Sequence, residues 1–261
     1  MKRGALYDES LLAPPSAGTS VDLAWQPETN HRSVCHCLFL PLHYEANYAY
    51  PLLVWLHGPG DDQRQVKRIM PLVSLRNYVA VGARGTWMDQ DDDLGQGGFT
   101  WRQTDHDILL ASQRVADCIQ LASERCHIAP ERIFLAGYDA GGTMALRLAM
   151  AEPEKFAGVV SLCGRFPQGH NPLARFELAR RVPLLIAQGR DSESYTQDQV
   201  CRDLRLLHSA GMSVTLRQYP CGQEVTTLML ADVDAWVMQR VTGVEPASSP
   251  DESCLRSGEW N

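Results

Sequence analysis

The chain has 261 residues, 44% of them hydrophobic, and a formal net charge of −7. That length suits one α/β domain with a full core that needs neither disulfides nor metals, and the composition excludes a largely disordered chain. The negative balance, with no basic run to offset it, disfavours nucleic acid and anionic membrane as partners.

Residues 1–30 are rich in Pro, Ser and Gly without periodicity and read as a flexible N-terminal arm. Its first 18 residues hold no apolar signal core, and no apolar run in the chain is long enough to span a membrane. The eight cysteines fall mostly in apolar segments, which suits free thiols in a cytoplasmic protein. Residues 31–243 show no repeat and no internal linker and read as one α/β domain. It opens with apolar segments at 34–42 and 51–56 joined by a polar turn, an antiparallel start. Cys35, His36 and Cys37 in the first segment read as small strand residues, because no second pair has zinc spacing.

Short Val-, Leu- and Ile-rich runs follow at 78–83, 132–136, 156–163 and 183–187. They do not alternate with polar residues, as in strands buried on both faces. The acidic run Asp89, Gln90, Asp91, Asp92, Asp93 lacks the glycine and glutamate of a calcium loop and reads as solvated. Ile108, Ala111, Val115, Ile119 and Ala122 stripe a helix opened by a capping box of Thr104 and Asp107. Val200, Leu204 and Leu207 stripe another, with Thr196 and Gln199 at its start and Gly211 after its end. Leu230, Val233, Val237 and Val241 stripe the last. Residues 244–261 form a polar tail expected to be disordered. Strand–helix alternation of this kind predicts an α/β fold: a mostly parallel sheet with helices on both faces.

Two turns carry the chemical interest. His57-Gly58-Pro59-Gly60-Asp61 directly follows a buried strand. Gly137-Tyr138-Asp139-Ala140-Gly141-Gly142 joins the strand ending at Ala136 to a helix beginning near Ala140. Small residues around position 139 permit a sharp bend that lifts its side chain above the sheet at a helix N-terminus. On these segments, together with Tyr219-Pro220-Cys221-Gly222-Gln223-Glu224, the chain resembles the α/β-hydrolase superfamily. Within it the chain is most similar to the phospholipase/carboxylesterase and dienelactone-hydrolase-like esterases, over roughly residues 34–241. The resemblance implies a sheet of about eight strands, little or no cap domain, and no metal or cofactor. It also implies a serine nucleophile, a carboxylate and a histidine, in that chain order.

The sequence departs from that pattern at each place. Asp139 stands at the nucleophile position and Gln223 at the base. At the acid position the matching run offers Ser192, with Asp191 one residue away. The oxyanion hole and pocket would draw on His57, Gly58, Pro59, Gly60, Tyr138 and Ala140, yet Pro59 has no N–H to donate. An aspartate nucleophile, as in dehalogenases and epoxide hydrolases of the superfamily, needs a histidine to activate the water that clears its ester; Gln223 cannot do this. Serine-type catalysis without serine or histidine forfeits a factor on the order of 10⁶. The reading favoured is a catalytically impaired pseudo-hydrolase whose crevice binds a small ligand, an ester-like molecule or a protein partner; the alternative is an active hydrolase using other residues or the aspartate itself. His106 is the nearest spare base, with a capping or surface role preferred, and His208 suits a helix C-terminus. The sequence names no oligomeric state.

Overall fold

Runs of apolar residues that do not alternate are stable as strands only where both faces are covered, and the computed structural model arranges them so. It describes residues 35–88 and 98–244. The expected N-terminal arm, acidic loop and C-terminal tail lie wholly or almost wholly outside these residues.

The main sheet uses strands β1 (His36–Phe39), β2 (Tyr50–Leu56), β3 (Val79–Ala83), β6 (Ile128–Tyr138), β7 (Gly158–Leu162), β8 (Leu184–Gly189) and β9 (Val214–Tyr219), in the order β1-β3-β2-β6-β7-β8-β9. All pairs are parallel except β1 with β3. Two expectations are corrected here. The described sheet has seven strands, not eight. The antiparallel start is not a hairpin of the first two strands: β1 lies against β3, with Leu38 opposite Val81. Every residue of β2 is buried whereas β1 is only half-buried, so β2 takes an interior place and β1 the edge.

Helices cover both faces. Leu52, Val54 and Leu56 point to one face, packed with α2 (Asp105–Arg125), α3 (Ala140–Ala151) and α5 (Gln197–Ser209). Leu53 and Trp55 point to the other, with α1 (Gln65–Val73) and α6 (Thr227–Thr242). The Thr104 cap is present: its hydroxyl accepts from Asp107 N–H and donates to the Asp107 carboxylate at 2.6 Å. Thr196 and Gln199 form the second expected capping box, and Gly243, left-handed at φ 70, ends α6. The expected elements omitted α1, which carries Pro71 in its last turn, a two-stranded hairpin of β4 (Thr86–Met88) and β5 (Gly98–Thr100), the short α4 (Phe176–Ala179), and β9.

A guanidinium lies deep in the fold. Arg147 on α3 is 3% exposed. It donates to Gln103 Oε1 at 2.5 Å and to the carbonyls of Gln168 and Gly169 at 2.7 and 3.1 Å. Three acceptors offset the desolvation of the guanidinium, which burial pushes below its usual pKa. They tie α3 to the turn before α2 and to the loop after β7.

Candidate functional site

The turn at the end of β6 has the geometry of a nucleophile elbow. Asp139 sits at the N-cap of α3 with φ 51 and ψ −116, a conformation that side chains other than glycine rarely hold. Its N–H donates to Leu162 O at 2.8 Å and its O accepts from Thr143 N–H at 2.9 Å, which holds the strain in place. The flanking glycines are needed for close approach. A Cβ on Gly141 would lie 2.2 Å from Leu56 O, and one on Gly137 would lie 2.4 Å from Gly141 backbone atoms. The result is a half-buried Asp139 whose carboxylate has no ion-pair or hydrogen-bond partner among the described residues.

Gln223 comes to the same place from the segment after β9. Its Nε2 donates to Cys163 O at 3.0 Å and its Oε1 accepts from Ser192 Oγ at 2.6 Å. A carbonyl can only accept, so the Cys163 contact sets which way the amide faces. Tyr138 Oη donates to Gln223 O at 2.6 Å. Gly164, the residue after Cys163, packs against Asp139 O so closely that a Cβ there would be 2.6 Å away. Thus Asp139, Gln223 and Ser192 converge around the turn that follows β7. Asp191 does not join them. Its side chain is exposed, and only its N–H is used, donating to Cys221 O at 3.0 Å. Ser192 is the inward residue; its hydroxyl also accepts from Tyr195 N–H at 3.0 Å.

The loop after β2 packs beside the elbow, with Gly58 against the Tyr138 ring. Its backbone donors are already committed. Gly58 N–H points to Gln65 Oε1 at 3.3 Å, Gly60 N–H donates to Phe99 O at 2.9 Å, and Pro59 has none. His57 is fully buried and equally committed. Its Nδ1 contacts Gly58 O at 2.7 Å and its Nε2 accepts from Gly85 N–H at 2.9 Å. Those partners demand the neutral tautomer with the proton on Nδ1, and burial holds the pKa below its ordinary value. Ala140 supplies the first residue of α3, where an oxyanion donor would come from the elbow itself.

The remaining groups are poor nucleophiles. Cys163, missed in the sequence because it reads as a strand residue, is buried with positive φ. Burial pushes its thiol up to about 11, so it stays protonated. Burial and the charge of Asp139 raise Tyr138 to about 12. His106 is exposed at the second residue of α2, and His208 is exposed in the last turn of α5. Two clefts of about 250 and 370 Å³ lie elsewhere; neither is lined by Asp139, Gln223 or Ser192. Among the described residues the arrangement offers one unpaired carboxylate at a helix N-terminus, no proton acceptor of histidine type beside it, and a loop whose amide donors are already committed.

A family model described as phospholipase/carboxylesterase matches residues 44–237. The chain is 24% identical over 221 residues to "Probable carboxylesterase SOBER1-like" of Arabidopsis thaliana, covering 77% of this chain and 82% of the relative. It shares its fold with the crystal structure of Arabidopsis thaliana SOBER1, at a TM-score of 0.65 and 21% identity, over 74% of this chain and 100% of that one. A second likeness is to Zea mays acyl-protein thioesterase 2, at a TM-score of 0.62 and 18% identity, over 79% and 98% of the two chains.

Proposed function

The chain belongs to the phospholipase/carboxylesterase family, and from that premise we propose that it has lost serine-type acyl transfer and uses the inherited crevice to bind a small ligand. The observation that carries this reading is the state of Gln223. Where the resemblance calls for an imidazole there is an amide, and both ends of it are held, by Ser192 and by Cys163 O. An amide cannot take the proton of an attacking hydroxyl or water near neutral pH. Asp139 compounds the loss, because its charge at the elbow repels the oxyanion that acyl transfer must form.

The same charge sets the ligand class. The carboxylate lacks a cation partner among the described residues, so the crevice favours neutral or cationic ligands over anions. The test is a thermal-shift screen of esters, sugars and amines against wild type and Asp139→Asn. A ligand at a hundredfold excess over its Kd stabilises the fold by about 2.7 kcal/mol. Cationic ligands should lose that shift in Asp139→Asn. If no class shifts wild type, the small-ligand reading fails and a protein partner takes its place.

One observation favours a second reading. Asp139 keeps the strained backbone of an elbow, and its carboxylate has no partner among the described residues, which leaves it available as a nucleophile must be. A covalent adduct on Asp139, seen by mass spectrometry after incubation with an alkyl halide or epoxide, would establish that reading instead.

A further inference from the structure

Helix α1 is divided along its length as well as around its circumference. Val66, Ile69, Met70 and Val73 face the sheet. The outward residues change character down the axis. Arg64, Lys67 and Arg68 come first, then Pro71 and Leu72, with Leu75 and Arg76 just beyond; all seven are exposed. Leu42 joins the apolar end, since its N–H donates to Leu75 O at 2.7 Å. Tyr48 lines one cleft with Arg76, and Glu45 lines it too without an ion pair to Arg76 among the described residues. Leu42, Leu72, Leu75 and Tyr48 are 52, 50, 42 and 48% exposed. Single exposed leucines are ordinary, but Leu72 on the outer side of α1, Leu75 three residues on and Leu42 bonded to Leu75 put three exposed leucines on neighbouring segments, which suits an interaction surface.

The charges on this face say what it meets. Arg68 pairs with Asp61, and Arg64 reaches Asp62 at 4.0 Å. Lys67 and Arg76 have no acidic partner among the described residues. Unpaired cations beside exposed leucines and a tyrosine have the chemistry of an interfacial face. Leucines enter the acyl boundary, tyrosine sits at headgroup level, and lysine and arginine meet anionic headgroups. No basic run announces this in the sequence, because the helix gathers cations that are spaced along the chain. The net charge of −7 repels an anionic surface, so such contact needs a locally cationic face.

We infer that the outer face of α1, with Leu42, Tyr48, Leu75 and Arg76, docks on an anionic phospholipid surface. The inference is independent of what Asp139 does. The experiment is co-sedimentation of the full chain with phosphatidylserine–phosphatidylcholine vesicles and with phosphatidylcholine vesicles alone. Binding to the anionic vesicles, weakened by salt, is expected. Lys67→Gln with Arg76→Gln should lower it about twenty-five-fold, at about fivefold per basic residue. Leu72→Ser with Leu75→Ser should lower it about tenfold or more. Both pairs replace exposed side chains, and unchanged melting curves would show that the fold is intact. No binding to anionic vesicles, equal binding to both vesicle types, or binding that both variant pairs retain would each overturn the inference. So would self-association without vesicle binding that the leucine pair abolishes, since the face would then belong to a second copy.

Discussion

Rebuilding the site one group at a time tests the reasoning about Asp139, Gln223 and Ser192 most directly. Wild type should hydrolyse short-chain nitrophenyl esters no faster than the buffer rate within detection. Asp139→Ser alone should change nothing, because the amide at position 223 still accepts no proton. Removing a nucleophile or its base costs on the order of 10⁶ in kcat, and the two losses do not add. Asp139→Ser with Gln223→His supplies both groups, yet the new imidazole would face only the Ser192 hydroxyl, now 2.6 Å from Gln223 Oε1. Adding Ser192→Asp gives it a carboxylate, itself held by the Tyr195 N–H that now donates to Ser192 Oγ at 3.0 Å. The triple variant should therefore turn over measurably. It should remain about 10²–10³ below an intact esterase, since Pro59 has no N–H and those of Gly58 and Gly60 serve Gln65 and Phe99. The assay is steady-state hydrolysis by wild type, single, double and triple variants, purified alike. Wild-type turnover that Asp139→Ala abolishes would refute the argument, as would robust activity in Asp139→Ser alone.

Gly141→Ala should lower stability by about 1–3 kcal/mol or more by overpacking, because its Cβ would meet the backbone oxygens of Leu56 and His57 at 2.2 and 2.4 Å. Differential scanning calorimetry should show a fall of about 2–4 °C in Tm for each kcal/mol. Arg147→Met should cost about 2–4 kcal/mol in urea unfolding, since it strands three acceptors that now share one buried guanidinium; an unchanged midpoint would mean water replaces it freely. His57 sets a pH dependence. Burial lowers its folded pKa, so its stabilising contribution is complete above the unfolded value of about 6.5 and is lost as pH falls toward the folded pKa. Denaturant titrations from pH 8 to 5 should show wild type losing up to about 1.4 kcal/mol per pH unit from this group. His57→Gln, which keeps a donor and an acceptor, should flatten that slope, and parallel curves would disprove it.

Much of the fold was legible because its signals are local. The buried strands announce themselves by unbroken Val, Leu and Ile, and the caps of α2 and α5 by Thr104–Asp107 and Thr196–Gln199. The elbow was legible too, since Gly137, Asp139 and Gly141 lie within one turn and glycine chemistry dictates the bend. What escaped was non-local or masked by composition. β9 is only partly buried, with Arg217 and Gln218 exposed, so it lacks the unbroken apolar run of the inner strands, and α1 carries Pro71. Arg147 looks like any surface arginine until Gln103, Gln168 and Gly169 close over it.

The sequence by itself determined that the elbow bears a carboxylate and that the segment Tyr219–Glu224 holds a glutamine and no histidine, because both are matters of residue identity. Only the tertiary structure shows that Ser192, and not Asp191, faces Gln223. Ser192 N–H turns back to Gly189 O at 3.2 Å, which sends the serine inward and leaves the aspartate in solvent. It also decided that Gln223 is clamped and that the loop amides and His57 are spent. Those outcomes depend on which acceptors the parallel register of β6, β7, β8 and β9 sets side by side. Hydrogen bonds hold within about 3 Å whatever the separation in sequence, so residue order could name the candidates but not their partners.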